Sequence, residues 1–264
     1  MFYSYAKVNL FLKIVGKITY DNQEYHSLLS RFMLIPHLFD TLEVSQSDDF
    51  QICGDFDCPK EQNTLYKAYQ AILPYVNQEQ KHFLNHLKIE VEKKIPSGGG
   101  LGGGSSNAAA FLCWVNETLD LKITPAILSQ IALKVGSDIP FFVSKAKIAN
   151  VRGRGEIIEV CEDLPFEVEI ITPKIHCNTA EVYRHYASKF YLASINQEKI
   201  TQHWANLNNV KVLQNTPYEN NDLLPAVLDL YPKLQEFADL GLFLSGSGSC
   251  FFKPKKLEKS KEAQ

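Results

Sequence analysis

Apolar and polar residues alternate near the start of the chain, where Val8, Leu10, Leu12 and Ile14 interleave with Lys7, Asn9, Phe11 and Lys13. A period of two is that of a strand, and it places Lys7 and Asn9 on one face, with Lys13 further along it. Thr41-Leu42-Glu43-Val44 is another short strand candidate, and residues 1 to about 55 read mainly as strands. Leu87, Ile89 and Val91 against Lys88, Glu90 and Glu92 give a further one. Helices are predicted over Thr64 to Val76, over the apolar run Ala108 to Val115, and over Pro125 to Val135. The last has Thr124 as N-cap, Pro125 at the first helical position and Gly136 as its stop. Phe141-Phe142-Val143, Ile148 to Arg152, Ile157 to Val160 and Phe166 to Ile171 return to strand character. Residues 179–190, 195–207 and much of 222–239 look helical, and a short strand pair flanks Gly246. Strands and helices come in mixed runs rather than strict alternation, which predicts an α+β fold.

The segment from Pro96 to Ala109, Pro-Ser-Gly-Gly-Gly-Leu-Gly-Gly-Gly-Ser-Ser-Asn-Ala-Ala, interrupts this periodicity. It lies between a predicted strand and a predicted buried helix whose first turn carries Ser105 and Ser106. The free N–H groups of a helix start, together with its dipole, form an anion site, and glycines admit a bulky anion to the backbone. An idle glycine-rich turn is the bland alternative, disfavoured by the backbone entropy that so many glycines lose. A phosphate-binding loop, and hence a nucleotide-using protein, is the expectation. No Gly-Lys-Ser/Thr ends the loop, so it is not a Walker A sequence. Gly98, Gly100 and Gly103 satisfy G-x-G-x-x-G, but a second helix rather than a strand follows, which argues against a dinucleotide-binding unit. H-R-D and D-F-G are absent, which excludes the protein-kinase pattern.

Length and composition narrow the classes. The 264 residues suit one large domain or two joined lobes, with 45% apolar and 22% charged residues. A net charge of −3 gives no general affinity for nucleic acid, so anion binding must be local. The apolar run Ala108 to Val115 is far too short to cross a bilayer, and the N-terminus lacks a signal-peptide layout. Six cysteines (Cys53, Cys58, Cys113, Cys161, Cys177 and Cys250) lack metal-ligand spacing and read as reduced thiols of a cytoplasmic protein. The lysine-rich tail from Lys253 to Lys261 reads as a solvated, fraying end.

Other residues carry chemistry with less definite signals. Ser137-Asp138-Ile139-Pro140 follows the Gly136 stop, where Asp138 either shapes a turn or presents a catalytic carboxylate. Tyr25-His26, read as part of a polar loop, suits a planar base by stacking and a hydrogen bond, or serves no ligand. Leu244-Ser-Gly-Ser-Gly-Ser-Cys-Phe251 is a second small-residue loop, a tight hairpin that would wall a phosphate pocket if it lay beside the first. His82 and His86 have i, i+4 metal spacing but no third ligand, and read as surface residues.

Taken in order, Ala6-Lys7-Val8-Asn9-Leu10-Phe11-Leu12, Tyr25-His26-Ser27-Leu28, the glycine loop, Gly136-Ser137-Asp138-Ile139-Pro140-Phe141-Phe142, Asn221-Asp222-Leu223 and Ser245-Gly246-Ser247-Gly248-Ser249-Cys250 resemble the GHMP kinase superfamily. The resemblance runs from Tyr5 to Phe252. It implies a two-lobed α+β kinase with its active site in the cleft, an N-terminal lobe of residues 1–150 and a C-terminal lobe of residues 151–264. It further implies ATP with Mg2+ and, for the branch with this glycine wording, a cytidine diphosphate-linked polyol as phosphoryl acceptor. Another small-molecule acceptor (mevalonate, homoserine or a sugar) is the alternative. By this resemblance Asp138 accepts the proton of the attacking hydroxyl, and Lys7 pairs with it and neutralises the moving phosphoryl group. Pro96, Gly98, Gly99, Gly100, Leu101, Gly102, Gly103, Gly104, Ser105 and Ser106 wrap the ATP phosphates, and Asn63 meets the adenosine. Tyr25, His26 and Tyr183 clamp the cytosine, while Asn9, Asp138, Gly246 and Gly248 complete the acceptor site. Ser105 or Ser106 is the hydroxyl expected near Mg2+, whose protein ligands the sequence does not define. Glu24 stands where the family has glycine before Tyr-His, and the chain ends soon after the last motif, so a trimmed C-terminal lobe is expected. No nucleic-acid or membrane partner is implied, and the protein is expected to be a monomer or weak homodimer.

Overall fold

The computed structural model describes residues 1–20, 23–191 and 197–255, and is an α+β protein. Its first sheet contains β1 (Phe2–Tyr20), β2 (Gln23–Gln46), β3 (Gln51–Gly54), β4 (Leu87–Glu92), β5 (Ile148–Gly153) and β6 (Ile157–Val160). Its second contains β7 (Val168–Ile171), β8 (Phe243–Leu244) and β9 (Phe251–Pro254), with β9 in the middle. The helices are α1 (Thr64–Ile72), α2 (Gln78–Asn85), α3 (Gly103–Thr118), α4 (Pro125–Val135), α5 (Ile139–Val143), α6 (Thr179–Lys189), α7 (Gln197–Ala205), α8 (Asn209–Gln214), α9 (Pro217–Asn220), α10 (Leu224–Leu230) and α11 (Gln235–Asp239).

The long antiparallel pair β1–β2 organises the molecule. The far end of β2 (Thr41–Gln46) pairs with β4, and its near part (Leu28–Met33) pairs with β5. Both faces of β1 are covered over Ala6–Leu12. Val8, Leu10 and Phe11 join one core with Val168, Trp204 and Phe252, whereas Leu12 and Ile14 join another with Val182, Leu224 and Phe251. A third core fills the space between the β3–β4 side of the sheet and α1, α3 and α4. Burial of this kind is the main favourable contribution to folding.

Simple alternation fails along β1 at a bulge between Asn9 and Phe11. One extra residue reverses the facing of everything after it. Lys13 therefore leaves the Lys7–Asn9 face, ion-pairs with Asp222 and donates to the Glu219 carbonyl at 3.0 Å. Three other expectations are corrected. Phe141-Phe142-Val143 is not a strand but lies in α5, where Pro140 in the first turn presets the helical φ. Tyr25 and His26 do not sit in a loop; they belong to β2, opposite Ile18 and Lys17. The helix begun at Thr64 stops at Ile72 and tightens into a 3₁₀ turn at Leu73–Tyr75, because Pro74 supplies no N–H.

Helices α2, α8 and α9 went unread in the sequence. His86 ends α2, and its imidazole lies 4.2 Å from that of His82 at a 45° tilt. Among the described residues no three His, Cys, Asp or Glu side chains gather as a metal site. No helix there is long and apolar enough to cross a membrane. Residues 195–196 of the predicted 195–207 helix, and the tail from Lys256 onward, lie outside the described residues.

Candidate active site

The glycine segment leaves β4 and enters α3. Gly102 precedes α3 with φ +73, and no side chain caps the helix start. Its leading N–H groups are thereby left for an anion. Five bonds to its carbonyls pin the loop from outside: Lys7 N–H donates to Leu101 at 2.9 Å, Thr64 Oγ1 to Gly104 at 2.7 Å, Ser245 Oγ to Gly100 at 3.0 Å, Cys250 N–H to Gly99 at 3.2 Å and Ser249 N–H to Gly98 at 3.4 Å. Gly100 is required here: a Cβ would fall 1.9 Å from the Ser245 oxygen, and φ is +74. The second small-residue loop thus buttresses the first. Gly248 belongs to that buttress and not to the acceptor cavity's lining, since a Cβ there would fall 2.1 Å from the Gly100 nitrogen. Asn221 holds the same loop by donating to the carbonyls of Leu244 (3.2 Å) and Gly246 (2.8 Å).

A cavity of about 310 Å³ opens over the loop, bordered by Asn63, Pro96, the segment Gly98–Ser105, and also Lys93 and His176. Asn63 caps α1 by accepting from Leu65 N–H at 2.9 Å. Leu101 sends its side chain into the core. The two candidate serines separate: Ser105 borders this cavity, whereas Ser106 lines a different one beside Phe2 and Trp114 and gives its N–H to Gly102 at 2.8 Å. Successive helical residues point about 100° apart around the axis, and here that turn aims the two serines at different cavities.

A second cavity of about 580 Å³ lies on the other side of the loop, and Gly100 and Gly102 border both. At the shared wall the Lys7 ammonium, 3% exposed, stands 3.2 Å from Asp138 Oδ2. Lys7 also donates to Asn9 Oδ1 at 2.6 Å and lies 4.4 Å from the centre of the Phe32 ring. Asn9 in turn donates to Ser30 Oγ at 2.9 Å, so its amide fixes the lysine's direction. Asp138 precedes α5, and its neighbour Ser137 rests on Gly155, where a Cβ would fall 1.9 Å from the Ser137 oxygen. Residues 131 positions apart (138 − 7) are thus brought together from two elements.

The far end of this cavity is aromatic. His26 packs 5.8 Å from Tyr183, with Tyr186 and Tyr191 edge-on at 6.0 and 5.8 Å. Burial, and then the Lys17 charge, lower the His26 pKa below its usual value, and its buried Nε2 has no hydrogen-bond partner. Burial, assisted by the Asp138 charge, raises the Tyr183 phenol, so it stays a neutral ring. Tyr25 faces the Arg154 guanidinium at 4.3 Å. Arg154 escaped the sequence reading. It lines the cavity, and its Nε and Nη1 are buried without partners. The only trace of it in the sequence is its place between Gly153 and Gly155. Thr179 and Ser247, joined at 2.9 Å, and Gly246 close the opposite wall.

The family model described as the GHMP kinases N terminal domain matches residues 63–146. A 4-diphosphocytidyl-2-C-methyl-D-erythritol kinase of Sulfurovum sp. (strain NBC37-1) is 41% identical over 256 residues, covering 96% of this chain and 98% of its own. The kinase of the same name from Campylobacter jejuni subsp. jejuni serotype O:6 is 40% identical over 256 residues, covering 95% and 98%. A crystal structure of 4-(cytidine 5'-diphospho)-2C-methyl-D-erythritol kinase superposes with a TM-score of 0.69 at 28% identity, over 97% of this chain and 90% of that one. The Methanococcus jannaschii mevalonate kinase, at 17% identity and a TM-score of 0.63 over 99% and 92%, shares the fold.

Proposed function

The chain belongs to the 4-diphosphocytidyl-2-C-methyl-D-erythritol kinases, a branch of the GHMP kinases, and from this we infer its reaction and the part each residue plays in it. It transfers the γ-phosphoryl group of ATP to the 2-hydroxyl of 4-diphosphocytidyl-2-C-methyl-D-erythritol, a step in non-mevalonate isoprenoid-precursor synthesis. The observation that carries the assignment of residues is the Lys7–Asp138 pair, 3.2 Å apart at the wall that two cavities share.

On this reading the nucleotide lies in the smaller cavity. Its phosphates lie against the glycine loop and the start of α3, and its adenosine lies toward Asn63. The acceptor fills the larger cavity. The cytosine packs among Tyr25, His26 and Tyr183, where the partnerless His26 Nε2 meets its edge. The Arg154 guanidinium, with two unpartnered N–H donors, faces the diphosphate. The methylerythritol end then reaches Asp138. As its hydroxyl oxygen bonds to the γ-phosphorus and the bond to ADP breaks, the hydroxyl proton passes to the Asp138 carboxylate. Phosphoryl transfer has a loose transition state, so alignment and charge neutralisation do most of the work. Lys7, aimed by Asn9, supplies positive charge at that point.

Mg2+ accompanies the ATP. Such an ion binds through phosphates, water and one or two protein oxygens, and the Ser105 hydroxyl and the Asp138 carboxylate, one on each cavity, are the side-chain oxygens that would hold it on this reading. When bound it neutralises phosphate charge. Lys7, Asp138 and the loop come from the part of the chain built on the first sheet, which runs through β6 to Val160, and Thr179, Tyr183 and Gly246 face them from the part that follows. The setting is the cytoplasm, where six free thiols remain reduced.

The test is a coupled ADP-release assay with four acceptors: the cytidine-linked polyol, mevalonate, homoserine and galactose. Turnover with the cytidine-linked polyol alone is expected. Preference for a free alcohol would overturn the assignment.

A further inference from the structure

We infer that Asp40 is the positioning residue that grips both ends of the phosphate loop and so presets its N–H donors for the nucleotide. This rests on the reading of that loop as the ATP site. Asp40 lies in β2 opposite Ser4 of β1, and its side chain is completely buried. One carboxylate oxygen accepts from the backbone N–H of Lys94 at 2.7 Å and of Ile95 at 2.8 Å, immediately before Pro96. The other accepts from Asn107 Nδ2 at 2.9 Å, in the first turns of α3, and from the Lys93 ammonium. Lys93 itself bridges back to Asn107 Oδ1 at 3.0 Å and borders the nucleotide cavity. Asn107 also donates to Ser4 Oγ.

A single side chain therefore fixes the loop where it leaves β4 and where it enters α3. A buried carboxylate is costly unless its oxygens are satisfied, and here four donors meet it. The loop between the anchors is rich in glycine and has large conformational freedom in the absence of restraint. Anion affinity from backbone N–H groups depends on their being aimed before the anion arrives. Asp40 itself borders neither substrate cavity; it acts through Lys93, Ile95 and Asn107, which border the nucleotide cavity.

The experiment measures direct binding of ATP and, separately, of the cytidine-linked acceptor to Asp40→Asn and Asn107→Ala. Asp40→Asn removes the charge and sets an NH2 group among donors. Asn107→Ala releases the α3 end, together with its bonds to Lys93 and Ser4, and leaves Asp40 three donors, so it is the milder variant and keeps the test available where Asp40→Asn does not fold. Wild-type binding of ATP is the control for the site reading: its absence removes the ATP site itself. With that control in place, the dissociation constant for ATP is expected to rise about tenfold in Asp40→Asn and several-fold in Asn107→Ala, with that for the acceptor changed less than about twofold. Unchanged ATP affinity in Asn107→Ala, or equal losses for both ligands, overturns the role of Asp40.

Discussion

On the proposed reading Asp138 serves the chemistry and His26 serves acceptor recognition, and each has a separable effect. Asp138→Asn keeps the shape of the carboxylate and removes its ability to take a proton, so kcat is expected to fall about 100-fold or more while ATP affinity stays within a few-fold. Steady-state kinetics with direct nucleotide binding checks this; retention of more than a tenth of the turnover contradicts it. His26 is proposed to meet the acceptor. Its pKa is lowered, first by burial and then by Lys17, so the folded protein favours the neutral imidazole more than the unfolded chain does. Between the lowered pKa and about 6.5 the unfolded chain binds more protons than the folded one, so His26 makes stability fall as pH drops through that window. Acceptor affinity is expected to hold from pH 8 to 6.5 and to weaken below it, and His26→Gln to bind more weakly and lose the pH response. A variant that retains the same pH profile contradicts the role. The meeting of Lys7 with Asp138 beside the glycine run was anticipated only through the motifs of the family resemblance, since the residues alone left Asp138 open between a turn and a functional carboxylate. Arg154 and Asp40 were not anticipated, because their significance lies in orphaned or converging donors that only the folded chain brings together.

At the scale of elements, the site depends on two loops of small residues pressed backbone to backbone. Gly100→Ala would push a methyl group to 1.9 Å from the Ser245 oxygen at a φ of +74. The cost is about 3 kcal/mol, and Tm is expected to fall by roughly 6–12 °C together with loss of ATP binding. A thermal melt with a nucleotide titration checks it; an unchanged melt means the loops are not in contact. The order of strands and helices was largely readable from periodicity, and the caps at Thr124 and Gly136 were too. What failed was periodicity over short apolar runs. Phe141–Val143 is buried as a helix turn, and three apolar residues contain no information to separate the two forms. The Asn9–Phe11 bulge likewise has no composition signal, yet it decides that Lys7 faces the cavity while Lys13 does not.

Across the whole molecule, β2 is the shared member, and Arg31 on it ties distant regions together. This buried guanidinium donates to Asn150 Oδ1 (2.9 Å), Asp163 Oδ2 (3.0 Å), the carbonyls of Leu207 (2.6 Å) and Ala205 (3.1 Å), and Asn209 Oδ1 (3.2 Å). Arg31→Ala leaves those acceptors unmatched and is expected to cost about 3–5 kcal/mol, with kcat at low temperature little changed. A large kcat loss in protein shown to be folded would mean that the clasp also shapes the site. The sequence indicated an α+β kinase fold but not that its cavities share one wall, since that depends on where the two glycine loops meet. The most direct measurement is a crystal structure with a non-hydrolysable ATP analogue and the cytidine-linked acceptor bound together. The account predicts the γ-phosphorus and the acceptor oxygen at the Gly100–Gly102 wall, about 3–3.5 Å apart, with Lys7 and Asp138 beside them. A nucleotide bound away from the glycine loop, or an acceptor hydroxyl remote from Asp138, would contradict it.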